Sequence, residues 1–181
     1  MLIQVGKRDT APDVIELLLE CHERIRRFVS IARTIASTPN GEPEEIREAA
    51  AQVRRYFVES LPLHIADEHD DILPRLRGQS DALDHALARM DSEHALHEPV
   101  LARLVELCDE LVRDPRQNTA LSAELATVAA EVDAELTAHL DNEEKVIFPA
   151  LRRLPSSEQA AVLAAIRERR ARYLGTGAAQ S

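Results

Sequence analysis

Glycine and aromatic side chains are scarce in this 181-residue chain: 5 Gly, 3 Phe, 2 Tyr and no Trp. The turns and half-buried faces of a β-sandwich draw on those residues, so their shortage excludes an all-β fold. No apolar run approaches the roughly 20 residues that a membrane span requires, and residues 1–10 lack the apolar stretch of a secretory signal. The expectation is a cytoplasmic protein that does not engage membranes. Cations are the minority charge, 22 Lys and Arg against 32 Asp and Glu, for a net −10. With both signs mixed along the chain, such a surface repels polyanions, which argues against nucleic-acid binding. The two cysteines, Cys21 and Cys108, lie far apart, and buried reduced thiols are expected rather than a disulfide.

Ala, Leu, Glu and Arg dominate, and 45% apolar with 30% charged residues fits one all-α domain. Caps and breakers divide the chain into four long helices. The first is expected over 10–36, opened by Thr10 with Pro12 in its first turn and closed by the Ser37-Thr38-Pro39-Asn40-Gly41 cluster. The second covers 43–73, bent or interrupted at Pro62 and stopped by Pro74 and Gly78. The third follows Ser80 and runs to 113, and the fourth spans 119–154 after the Asp114-Pro115 turn. A shorter fifth helix, 157–173, carries a Ser156 to Gln159 capping box and offers Val162, Leu163 and Ile166 to cover one end. Residues 10–155 thus form the bundle, 156–174 a capping helix and 175–181 a disordered tail.

Each long helix points a histidine at the common core. The inward stripe of the third reads Leu83, Leu87, Met90, His94, His97, Leu101, Leu104, Cys108, Leu111. The first gives Leu18, His22, Ile25, Val29; the second Val53, Phe57, Leu61, His64, Glu68, Ile72; the fourth Val132, Leu136, His139, Glu143, Ile147. An internal repeat supports the pattern. A shift of 75 residues lays His64, Glu68, Ile72, Pro74 and Leu76 onto His139, Glu143, Ile147, Pro149 and Leu151, and a shift of 72 lays His22 onto His94. The expected architecture is an up-down four-helix bundle made of two helical hairpins in approximate two-fold relation.

Three of the seven histidines, His64, His94 and His139, are followed by Glu at i+4, where chance predicts about one. Those positions share a helix face, and that face is apolar. Buried carboxylates without a Lys or Arg on the stripe cost several kcal/mol each unless a cation neutralises them. A metal does so while using the imidazole nitrogens as well. No cysteine joins the cluster, and mixed nitrogen and oxygen ligands suit Fe, Mn or Zn. Four histidines with two or three glutamates exceed what one ion accepts, which points to two. His69 and His85 lie off the stripes, Tyr56 could place a phenol near the metals, and Leu136 could line a ligand pocket.

His22, His64xxxGlu68, His94 and His139xxxGlu143, with Ile147-Phe148-Pro149 following, resemble the hemerythrin-like (HHE cation-binding) family over about residues 10–155. The resemblance implies a non-haem di-iron pair with an oxo or hydroxo bridge, binding or turning over O2, NO or peroxide. It implies His22 and His64 on one iron, His94 and His139 on the other, and Glu68 and Glu143 bridging. On the third helix the oxygen carriers have a second histidine at i+4, where this chain has Glu98; His97 stands one residue earlier. Glu98 is the expected seventh ligand, His97 the alternative, and Pro99 is expected to distort the helix beside them. An iron or oxygen sensor, or an iron-handling protein read by a partner, is the second functional class, and a structural metal bundle the third.

Overall fold

The computed structural model describes residues 13–178. Among them there is no strand, and five helices account for the fold. Helix α1 is Val14–Ser37; α2 is the continuous helical stretch 43–76; α3 is Asp81–Arg113; α4 covers 118–152, after a single 3₁₀ turn at Pro115–Gln117; α5 is Ser156–Ala178.

The caps explain the starts. Asp13 is extended, accepts from the Glu16 N–H at 2.8 Å, and its own N–H donates to the Glu16 carboxylate at 3.1 Å. This reciprocal pair opens α1 at Val14; the expected cap Thr10 lies outside the described residues. Ser80 caps α3 as expected, through the Leu83 N–H. The turn before it needs Gly78, whose φ of +83° places it in the left-handed region. Helix α4 starts at Asn118, whose buried amide donates to the Ile35 and Thr38 carbonyls at the end of α1. Helix α5 begins at Ser156 without the expected capping box: the Gln159 amide instead reaches back to the Arg152 and Leu154 carbonyls. The backbone of α5 is helical through Ala178, beyond the expected end, and residues 179–181 of the expected tail lie outside the described residues.

Three prolines widen the helices instead of ending them. π-helical turns at Tyr56–Ser60, Glu68–Ile72 and Glu143–Ile147 each finish two residues before a proline, Pro62, Pro74 and Pro149. Proline lacks an N–H and its ring clashes with the carbonyl four residues back, and the preceding turn accommodates this by adopting i to i+5 bonding. Leu61, Leu73 and Phe148 accordingly donate to Tyr56, Glu68 and Glu143. Pro99 behaves otherwise: α3 continues through it as α-helix, with no π turn before it.

Helix α1 packs on α2 and α4, and α3 packs on α2 and α4, so each long helix has two neighbours. The interior consists of two apolar clusters. One contains Ile25, Val29, Leu61, Leu104, Leu136 and Leu140; the other contains Leu18, Ile72, Leu87, Met90, Ile147 and Phe148. Along every long helix the histidine lies between a member of one cluster and a member of the other. The clusters therefore clamp a single polar layer. Helix α5 seals the second cluster with fully buried Val162 and Ile166, while Leu163 is partly buried against it.

Candidate metal centre

That layer brings together His22, His64, Glu68, His94, His139 and Glu143. Each supplies one ligand atom to one or both of two groups: His22, His64, Glu68 and Glu143, and Glu68, His94, His139 and Glu143. Within each group all ligand atoms lie within 4.8 Å of one another. Glu143 Oε2 is 3.0 Å from His22 Nε2, and its Oε1 is 2.7 Å from His139 Nε2. Glu68 Oε1 is 3.1 Å from His64 Nε2, and its Oε2 is 3.2 Å from His94 Nε2. Each carboxylate thus spans two imidazoles from different sides of the layer. Both carboxylates begin a π turn in equivalent positions of the 75-residue repeat, where added helix width carries them inward.

Protein groups alone leave this layer unsatisfied. His22 Nε2, both ring nitrogens of His64 and all four oxygens of Glu68 and Glu143 are buried without a hydrogen-bond partner. Glu68 is 1% exposed and Glu143 fully buried. Burial and the neighbouring Glu143 charge push the Glu68 carboxyl well above its usual range. Burial also acts to raise Glu143, but the close imidazoles of His139 and His22 outweigh it and hold the group well below that range. Burial lowers His64 to about 3 and His94 to about 4, so both imidazoles are neutral near pH 7 with lone pairs available. Imidazole nitrogens beside paired, desolvated carboxylates are a donor set that could hold a metal cation, which would remove the penalty.

Two histidines are held from behind. His22 Nδ1 meets Glu144 Oε1 at 2.8 Å, and the same oxygen accepts from Arg26 at 2.7 Å. His139 Nδ1 meets Glu93 Oε2 at 2.9 Å, while Glu93 Oε1 accepts from Arg89 at 2.6 Å. In both carboxylates, partial burial raises the pKa, but the histidine and arginine contacts outweigh it and keep them ionised. A carboxylate on Nδ1 fixes the tautomer that presents Nε2 to the centre. Sequence reasoning missed both supports. Neither Glu144 nor Glu93 lies on an inward apolar stripe, so periodicity gives no signal for them.

Glu98, expected as a ligand, is exposed and joins neither group. The inward stripe of α3 steps three residues from His94 to His97 and then four to Leu101, which leaves Glu98 on the outer side. His97 is buried, with its ring edge-to-face on His139 at 5.2 Å, and it also belongs to neither group. His69 and His85 are exposed as expected. The Tyr56 hydroxyl donates to the Cys21 carbonyl at 3.4 Å and its ring stacks on Phe28, so it is occupied away from the two groups. Both cysteines are free and buried.

A cavity of about 20 Å³ adjoins the layer, walled by six aliphatic side chains, Leu136 among them, and by His64, His94, His97 and His139. An open apolar groove between α2 and α3 shares Leu61, Ile65, His94 and Leu101 with it. On the opposite side α5 is fastened beside the layer: buried Asp67, next to Glu68, accepts from Arg169 and, at 2.8 Å, from Arg170. No helix of the described residues is long and apolar enough to cross a membrane.

A model of the hemerythrin HHE cation binding domain matches residues 13–151. An uncharacterized protein of Haemophilus influenzae is 29% identical over 110 residues, which cover 58% of this chain and 62% of the relative. The match thus spans about three fifths of that curated relative's length. No solved structure matches the chain.

Proposed function

This chain belongs to the hemerythrin HHE cation-binding domain family, and from that premise we propose that its polar layer holds two non-haem iron ions and handles O2, NO or peroxide. His22 and His64 would serve one ion, His94 and His139 the other, and Glu68 and Glu143 would contribute to both, the sharing that the two overlapping groups support. The observation that carries the reading is the buried set of unpartnered nitrogens and carboxylate oxygens, which fits cations and little else. Residues 10–155 would form an up-down four-helix bundle around this site, with 156–174 as its capping helix.

When bound, the iron pair would supply redox-active coordination of a small diatomic molecule or peroxide. The protein's own contributions are distinct. Glu93 and Glu144 orient His139 and His22 through Nδ1. Leu61, Leu136 and Leu140 exclude bulk water from the adjoining cavity, whose size favours a ligand of very few atoms. We place the protein in the cytoplasm, without nucleic-acid or membrane partners. Iron quantification together with the near-ultraviolet and visible spectrum tests the proposal: two irons per chain support it, and one zinc with no iron overturns it.

A sensor or iron-handling role is the second reading, favoured by the attachment of α5. Arg169 and Arg170 bind Asp67, the residue before Glu68, and Arg170 also lies 3.2 Å from the Cys21 thiol, beside His22. A change in the centre would reach α5 directly, where a partner could read it.

A further inference from the structure

His97 is the buried histidine that the centre leaves unused. It is 7% exposed and lines the small cavity beside the two groups. The other three imidazoles on that cavity belong to the two groups. His64 and His94 direct Nε2 to Glu68, at 3.1 and 3.2 Å, and His139 meets Glu143 at 2.7 Å through Nε2 and Glu93 at 2.9 Å through Nδ1. The remaining wall is aliphatic. A ligand lodged there would find in His97 a polar side chain that belongs to neither group, and an imidazole always carries at least one N–H donor.

Position supports this more than burial alone does. His97 is held edge-to-face against His139 at 5.2 Å, so its ring lies beside a member of the second group while contributing no atom to that group. Its neighbours Ile65 and Leu101 do not compete for its N–H, and they stand between the cavity and the open groove of α2 and α3. The cavity, at about 20 Å³, exceeds the 10–15 Å³ that one water requires by little, which restricts the occupant to a molecule of about two heavy atoms.

We propose that His97 is not a metal ligand but the hydrogen-bond donor that fixes a small diatomic or peroxide ligand in this cavity. The inference rests on the iron-centre reading above and specifies which side of the site the ligand occupies. A polar ligand atom entering an aliphatic cavity loses its water contacts, and one well-placed donor restores the larger part of that loss.

The test compares the iron-loaded wild-type protein with His97→Leu and His97→Gln, using nitric oxide as the probe. Three readouts are taken: metal per chain, the nitric oxide dissociation rate, and the N–O stretching frequency. The expected result is unchanged metal content in both variants. Dissociation from His97→Leu should be roughly five- to tenfold faster, the loss expected for one hydrogen bond, with a shifted N–O stretch. His97→Gln, whose amide can still donate, should recover part of both changes. An unchanged rate and stretch in His97→Leu would overturn the inference while leaving the iron-centre reading in place. Loss of metal from either variant would overturn it by making His97 a ligand. A wild-type protein that loads iron but binds no nitric oxide would overturn both together.

Discussion

Glu144 Oε1 stands 2.8 Å from Nδ1 of His22, while Glu143, its neighbour in the chain, meets Nε2 of the same ring at 3.0 Å. Consecutive helical side chains diverge by about 100°, so two adjacent glutamates can approach opposite edges of one imidazole. Glu143 is buried in the layer, and Glu144 faces the partly exposed Arg26. The division of labour between the two follows from that divergence.

Replacing Glu144 or Glu93 by Ala should therefore weaken metal retention without abolishing it. Loss of a carboxylate that orients a ligand histidine costs about 10- to 100-fold in affinity. Competitive chelator titration should show that range for both variants. Glu98→Ala should match wild type because Glu98 is exposed and outside both groups.

Stripping the metal should destabilise the fold. Glu68 and Glu143 would then share a dry interior with no cation, and uncompensated buried charge costs several kcal/mol. For a chain of this size the melting temperature should fall on the order of 10 °C. Calorimetry before and after chelation measures this, and equal melting temperatures would remove the electrostatic basis of the site.

Cys108 should resist thiol reagents in the folded protein. Burial pushes its thiol up to about 12 from an ordinary value near 9. The folded pKa is raised, so this group's contribution to stability is fully present below pH 9. It is lost as pH climbs from 9 toward 12, because only the unfolded chain ionises easily in that window. Modification at pH 8 should track unfolding, and Cys108→Ala should flatten the alkaline fall in stability.

Asp67→Ala should loosen α5. Asp67 is fully buried and faces two arginines that remain partly buried without it. Removing one partner of a buried pair costs about 3–5 kcal/mol, and the partial exposure of Arg169 and Arg170 places this case at the low end. Denaturant unfolding should show the loss, and proteolysis should find α5 cut sooner than in wild type.

Periodicity was sufficient to identify the six residues of the layer, because a carboxylate or imidazole on an apolar stripe must be buried once the helix packs. The 75-residue repeat also makes Glu68 and Glu143 equivalent in the sequence itself. The expectation at Glu98 came from its i+4 spacing and from the family resemblance, whereas the apolar stripe of α3 runs through His97; Glu98 is exposed and outside both groups.

The amino-acid sequence determined the helices, their inward faces and the imidazole and carboxylate groups of the layer, since all three depend on local spacing and on the cost of burying charge. Tertiary packing alone decided which outer groups grip the layer and the residues beside it. Glu93 reaches His139 from another helix, Glu144 reaches His22, and Arg169 and Arg170 reach Asp67 across about a hundred residues of chain. Such contacts depend on how each helix is rotated and raised against its neighbours, and the π turns before Pro62, Pro74 and Pro149 shift that rotation locally. A periodic pattern states which face is buried; only the packed helices state what stands opposite.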